Sequence, residues 1–218
     1  MADWHDHERR ETERYREGEA RLPDDPDERQ RALTRLGNAA GGAGLALLMQ
    51  GRRDEAGEWL ARASERYRES WYGAPPASWG RPIGMIKARL LAGDRQGAQA
   101  DARWALELGP ASAESPIGRY CAALALLTLR RYEEARPVIS SIRERDDFPA
   151  PVADALAAIA AEDVLAYIEA VEDVLLSFEA REDYLEDLPV ADTVLVLQAL
   201  AADRDIAAEL PASPLLPR

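Results

Sequence analysis

The chain has 218 residues, 47% of them hydrophobic, which is enough for one large domain or two small ones and excludes disorder over most of its length. No apolar run, including stretches such as Ala122–Leu129, approaches the roughly 18–20 residues of a membrane-spanning helix, and the densely charged first twenty residues argue against a secretory signal peptide. One cysteine, Cys121, and two histidines can supply neither an internal disulfide nor a four-ligand zinc site, so a reducing cytoplasm is the expected compartment.

The net charge of −13 is unevenly spread: residues 1–70 carry −3, residues 71–150 carry +2, and residues 151–218 carry −12. A polyanionic surface repels phosphate backbones, which argues against direct nucleic-acid binding. It serves solubility, or it steers a basic partner and raises the association rate.

The first expected element is a charged N-terminal helix or arm over residues 1–24, in which Trp4, Tyr15 and Leu22 share one narrow helical stripe. Residues 25–218 are expected to form a single all-helical domain. Asp25, Pro26 and Glu28 give a helix start signal. Leu33, Leu36, Ala40, Ala43 and Leu47 then recur at amphipathic spacing. Gly37, Gly41, Gly42 and Gly44 interrupt this run. No Gly-Lys-Ser/Thr ending follows them and no strand precedes them, so close approach of a neighbouring helix explains them better than a phosphate loop.

Three later segments share one plan: Gly51-Arg-Arg-Asp-Glu-Ala56, Gly93-Asp-Arg-Gln-Gly-Ala98 and Arg130-Arg-Tyr-Glu-Glu-Ala135. A glycine or arginine turn precedes charged residues that open a helix, and a small residue follows where two helices cross. Apolar helices lie ahead of each, at 44–50, 83–92 and 120–129. These units resemble degenerate tetratricopeptide repeats, with key alanines 42 and 37 residues apart against about 34 in the standard repeat.

Beyond Arg119 proline supplies the punctuation at Pro137, Pro149, Pro151 and Pro189. Val164, Ile168, Val171, Leu175 and Phe178 form a stripe on a long helix, with Glu162, Glu169, Glu172, Asp173 and Glu179 largely on its other side. Pro189 is expected to open a last helix, and the tail to pack as an extended segment through Leu215 and Leu216. The fold class is therefore all-α: about eight to ten helices in antiparallel hairpins.

Residues suited to catalysis are few. His5 and His7, two apart, point to different faces of a helix and make a poor metal site. Cys121 sits in an apolar helix without a base. No histidine follows residue 7, so a di-metal Glu-x-x-His arrangement is absent from the body. No enzyme activity and no cofactor are expected. The candidate partner-binding residues are Trp71, Tyr72 and Trp79, in an aromatic, proline-rich loop that is either a hot spot or a lid, and Glu182, Asp183, Glu186 and Asp187, an acidic turn read as solvated.

Three stretches resemble immunity protein family forty-nine of bacterial polymorphic toxin systems. They are Trp79–Asp94 ending in Ala-Gly-Asp, the apolar helix and turn Ala122–Ala135, and Leu195–Arg204 followed by Ser213-Pro-Leu-Leu-Pro217. The resemblance implies an all-helical cytoplasmic protein that binds and neutralises a cognate toxin without catalysis, and the acidic last third makes a basic toxin domain the expected partner. It carries no assigned binding residues. The alternative expectation is a tetratricopeptide-like adaptor or regulatory scaffold that binds peptides or partner helices.

Overall fold

In the computed structural model, which describes residues 3–217, the chain folds into ten α-helices with no strand among the described residues. They are α1 (Trp4–Glu19), α2 (Pro26–Met49), α3 (Arg53–Trp71), α4 (Gly80–Leu91), α5 (Arg95–Glu107), α6 (Pro116–Thr128), α7 (Tyr132–Arg143), α8 (Ala150–Ala161), α9 (Val164–Glu179) and α10 (Asp192–Ala202). Short 3₁₀ turns occur at Pro110–Ser112 and Leu185–Asp187. No helix is long and apolar enough to cross a membrane among the described residues.

Local chemistry sets the boundaries. Asp25 accepts a hydrogen bond from the Glu28 N–H (2.9 Å) with Pro26 in the first turn, as the start signal of α2 requires. The three repeated turns close alike. Gly51, Gly93 and Arg130 adopt left-handed backbone (φ 75°, 71° and 58°). The next residue in each case donates back five positions: Arg52 to the Leu47 carbonyl, Asp94 to Arg89 and Arg131 to Leu126. The alanines that follow, Ala56, Ala98 and Ala135, are fully buried. Two proline expectations shift: Pro137 lies inside α7, and α10 begins at Asp192 rather than Pro189, because a tight turn from the Val190 N–H to the Leu188 carbonyl (2.8 Å) intervenes.

The chain divides into two compact units, the first built from Met1–Arg95, Glu182–Val190 and Ser213–Arg218, the second from Gln96–Arg181 and Ala191–Ala212. In the first unit α1 packs on α2, α2 on α3 and α3 on α4. The glycines of α2 permit this. A Cβ on Gly44 would stand 2.7 Å from Leu60, and one on Gly37 would stand 2.7 Å from the Tyr67 ring. Tyr67 is confined on its other edge by Gly84 of α4, where a Cβ would fall 2.8 Å away. Its hydroxyl donates to Asn38 Oδ1 (2.9 Å). Against the expected stripe of α1, Tyr15 is buried edge-on to Trp59, with ring centroids 5.3 Å apart, while Trp4 and Leu22 are half-buried.

The second unit packs differently. α6 is apolar all round and buried from Tyr120 to Thr128, as a central helix must be. Cys121 is enclosed within it, and burial pushes its thiol pKa up to about 12, far from thiolate chemistry at neutral pH. Helix α7 packs on α6, α8 on α7 and α9 on α8, with α10 against α8 and α9. Alanines such as Ala153, Ala155 and Ala160 let these backbones approach. Arg204 donates to the Ile159 and Ala160 carbonyls (3.3 and 3.0 Å) and Arg136 to Ala160 (3.2 Å), so two guanidiniums cap the negative end of α8.

Candidate functional site

Helix α9 carries the least ordinary surface of the second unit. Asp163 caps it by accepting from the Ala166 N–H (3.1 Å). Its inward face is Tyr167, Ala170, Val171, Val174, Leu175 and Phe178. Tyr167 is wholly buried, its hydroxyl donating to Gln198 Oε1 (2.7 Å), and burial raises its pKa above the ordinary range. Gln198 in turn bonds the Ala208 backbone through both its carbonyl oxygen and its amide nitrogen (3.0 and 2.6 Å), which fixes α9, α10 and the chain beyond them together.

The outward face is set by this register. Leu165, Glu169, Glu172 and Leu176 follow one another at four, three and four residues, a single helical stripe. Leu165 is 74% exposed and Leu176 59% exposed. Val164, expected on the buried stripe, is exposed as well, because Tyr167 and Val174 take the inward positions. A groove of about 350 Å³ runs along one flank, with Asp154, Asp163, Glu169 and Asp173 in its lining and Arg143 tied to Asp154 at 2.7 Å. A second, of about 410 Å³, is lined on the other flank by Glu172, Leu176, Glu179, Glu209, Leu210 and Pro211. Among the described residues no ion pair engages Glu169, Glu172 or Asp173. Exposed leucines set among carboxylates that no ion pair engages make this face both apolar and negatively charged.

The aromatic loop is folded partly inward. Trp71 ends α3 half-buried, and its ring lies 5.6 Å from that of Trp79, which is 9% exposed at the start of α4. Tyr72 alone of the three stands out, at 75% exposure. Burial therefore removes Trp79 from an open docking face and makes it a cover over the first unit.

The acidic turn 182–187 divides in the same way. Glu182, Asp183 and Asp187 are exposed, but Glu186 corrects the expectation of a uniformly solvated turn. Left-handed backbone at Glu186 and Asp187 (φ 56° and 54°) turns the Glu186 carboxylate onto Arg14 (2.5 Å) and Asn38 (3.0 Å), while its carbonyl accepts from Arg10 (2.7 Å). Arg10 and Arg14 also hold Glu11 (2.9 and 2.7 Å), which is fully buried beneath them against Gly42. Burial alone would raise the Glu186 carboxyl. The hydrogen bonds from Arg14 and Asn38 and the charges of Arg14 and Arg10 outweigh it and hold its pKa below the usual 4.5.

Glu11 and the leucines of α9 escaped sequence reasoning, yet both left a signal. Glu11 stands seven residues after Trp4 and four before Tyr15, in the register of the stripe itself, where only a paired charge is tolerated. Leu165 and Leu176 fall between the acids rather than on the apolar stripe. Among the described residues no group of three or more His, Cys, Asp or Glu is arranged to hold a metal ion. No family model, curated protein or solved structure matches this chain.

Proposed function

We propose that this protein is a non-catalytic protein-binding module of the immunity type, which neutralises a toxin by occupying a basic surface on it in the cytoplasm. The outward stripe of α9 carries the reading: two exposed leucines supply desolvated anchor area, and Glu169, Glu172 and Asp173 supply complementary charge. The resemblance of 79–218 to immunity protein family forty-nine points to the same class. The stripe replaces the acidic turn as the primary contact, since Glu186 is already engaged and the turn belongs to the other unit. Exposed charges steer encounter over a screening length of about 10 Å at 0.1 M salt, whereas the leucines resist dissociation.

The chain of helical hairpins supports a second reading, a tetratricopeptide-like adaptor that holds a partner helix without neutralising anything. The two are separated by one experiment. The partner is captured from the native host, expressed alone, and then co-expressed with this chain. Growth arrest relieved by the wild-type chain but not by the Leu165→Ser, Leu176→Ser variant supports the immunity reading. A partner harmless by itself overturns it in favour of the adaptor. Stopped-flow association should slow with salt in the wild type and be slow at all salt concentrations when Glu169, Glu172 and Asp173 become Gln, Gln and Asn.

A further inference from the structure

A surface of opposite sign lies on the first unit. A groove of about 810 Å³ lies along α1 and α2, edged by Arg14 of α1 (already paired with Glu11 and Glu186), by Arg21 in the turn that follows α1, and by Arg31 and Arg35 of α2, against two acids, Glu17 and Glu28. Its floor is Ala32, Leu36 and Ala39. In a chain of net charge −13 this positive lining is unexpected. Arg31 and Arg35 stand at i and i+4, a like-charged spacing that costs a helix a few tenths of a kcal/mol. They are exposed and in no ion pair: Arg31 reaches only the Asp27 carbonyl through Nε (3.0 Å), and no partner engages Arg35 among the described residues. Arg21 is held loosely by Glu17 at 3.8 Å.

We propose that this groove binds an extended acidic segment of another protein, with two carboxylates at alternate residues seated on the guanidiniums of Arg31 and Arg35. The spacing supports this. Side chains four apart on a helix are separated by about 6 Å along its axis, and alternate residues of an extended strand by about 6.7 Å. The α2 lining from Glu28 to Ala39 spans roughly 16 Å, the length of about five extended residues. Guanidinium forks take carboxylates bidentately, and arginines strung along a line suit a chain of them better than a single compact anion. With the whole chain at −13, a polymer charged at every unit is repelled more than a segment that carries two carboxylates. The site is independent of the α9 reading, which invokes a basic partner on the other unit.

The test is fluorescence polarisation with the full chain and a labelled, end-capped Ala-Glu-Ala-Glu-Ala peptide, its Ala-Gln-Ala-Gln-Ala control and a single-stranded oligonucleotide of equal length. The expected result is saturable binding of the acidic peptide that weakens with salt. It should fall at least tenfold in Arg31→Gln, Arg35→Gln and fall less in Arg31→Lys, Arg35→Lys, which keeps the charge but loses the fork. Unchanged melting verifies that these exposed substitutions leave the fold intact. Equal binding of the glutamine peptide, tighter binding of the oligonucleotide, or indifference to the glutamine variant would each overturn the proposal. So would sedimentation showing that the groove is filled by a second copy of the chain.

Discussion

The two units reach stability by different routes. The first fits bulky side chains into glycine-made gaps and fastens its outer helix with paired charge: the buried Glu11 and the half-buried Glu186 are held by Arg10, Arg14 and Asn38. The second encloses an apolar helix with alanine-rich neighbours and keeps most of its carboxylates on the outside. A paired internal charge has few alternative partners, so it specifies register, whereas small-residue packing tolerates adjustment. The first unit is therefore expected to be sensitive to added atoms and lost charges, the second to lost volume.

Substitutions test that contrast. In the second unit Leu156→Ala should leave a cavity at a wholly buried site and destabilise by about 3–4 kcal/mol in chemical denaturation, since α8 is hemmed by α7 and α9. A cost under 1 kcal/mol would show that the alanine packing collapses onto the gap. In the first unit Glu11→Ala should cost about 2–3 kcal/mol, less than a deeply buried pair because Arg10 and Arg14 can turn to water. Hydrogen exchange should then quicken first in α1. Gly37→Ala should cost about 2 kcal/mol, because Tyr67 cannot retreat past Gly84. Recovery of that loss in the Gly37→Ala, Tyr67→Leu double variant would confirm the cause.

A smaller effect, about 1 kcal/mol, is expected for Glu186→Gln, and it should depend on pH. The folded carboxyl lies below its unfolded value, so its stabilisation is complete above pH 4.5 and disappears as pH falls through the lowered value. The melting curves of variant and wild type should converge on acidification, and a gap that persists at pH 2 would break this assignment. Smallest of all, neutralising Glu169, Glu172 and Asp173 should change stability by less than about 0.5 kcal/mol while slowing association with the partner.

Much of the architecture was legible because helix signals are local. The cap at Asp25, the small residues at Ala56, Ala98 and Ala135, and the glycine-mediated approach of α2 to α3 all follow from spacing. Long-range pairings were not. Nothing near Glu186 in the chain indicates that it meets Arg14, 172 residues earlier, and without that partner it resembles its exposed neighbours Glu182 and Asp183. Trp79 illustrates the same limit: tryptophan is common at both hot spots and core lids, and only tertiary packing decides between them. On α9 Val171, Leu175 and Phe178 face inward as their spacing predicts, but the partner of Tyr167, Gln198 of α10, lies outside any helical window.

Because the first unit recruits Glu182–Val190 and Ser213–Arg218, its earliest helix is made first and fastened last. A ribosome adding about 5–20 residues per second needs roughly 9–34 seconds to travel from Arg14 to Glu186. Throughout that interval Glu11 has its two arginines but the latch that pins them does not yet exist. A nascent chain stalled before residue 182 should hold α1 loosely and be nicked there by protease, and one released past residue 190 should resist. Neither unit is one continuous stretch of chain, so no single truncation yields either intact, and loss of the tail would be felt in the first unit.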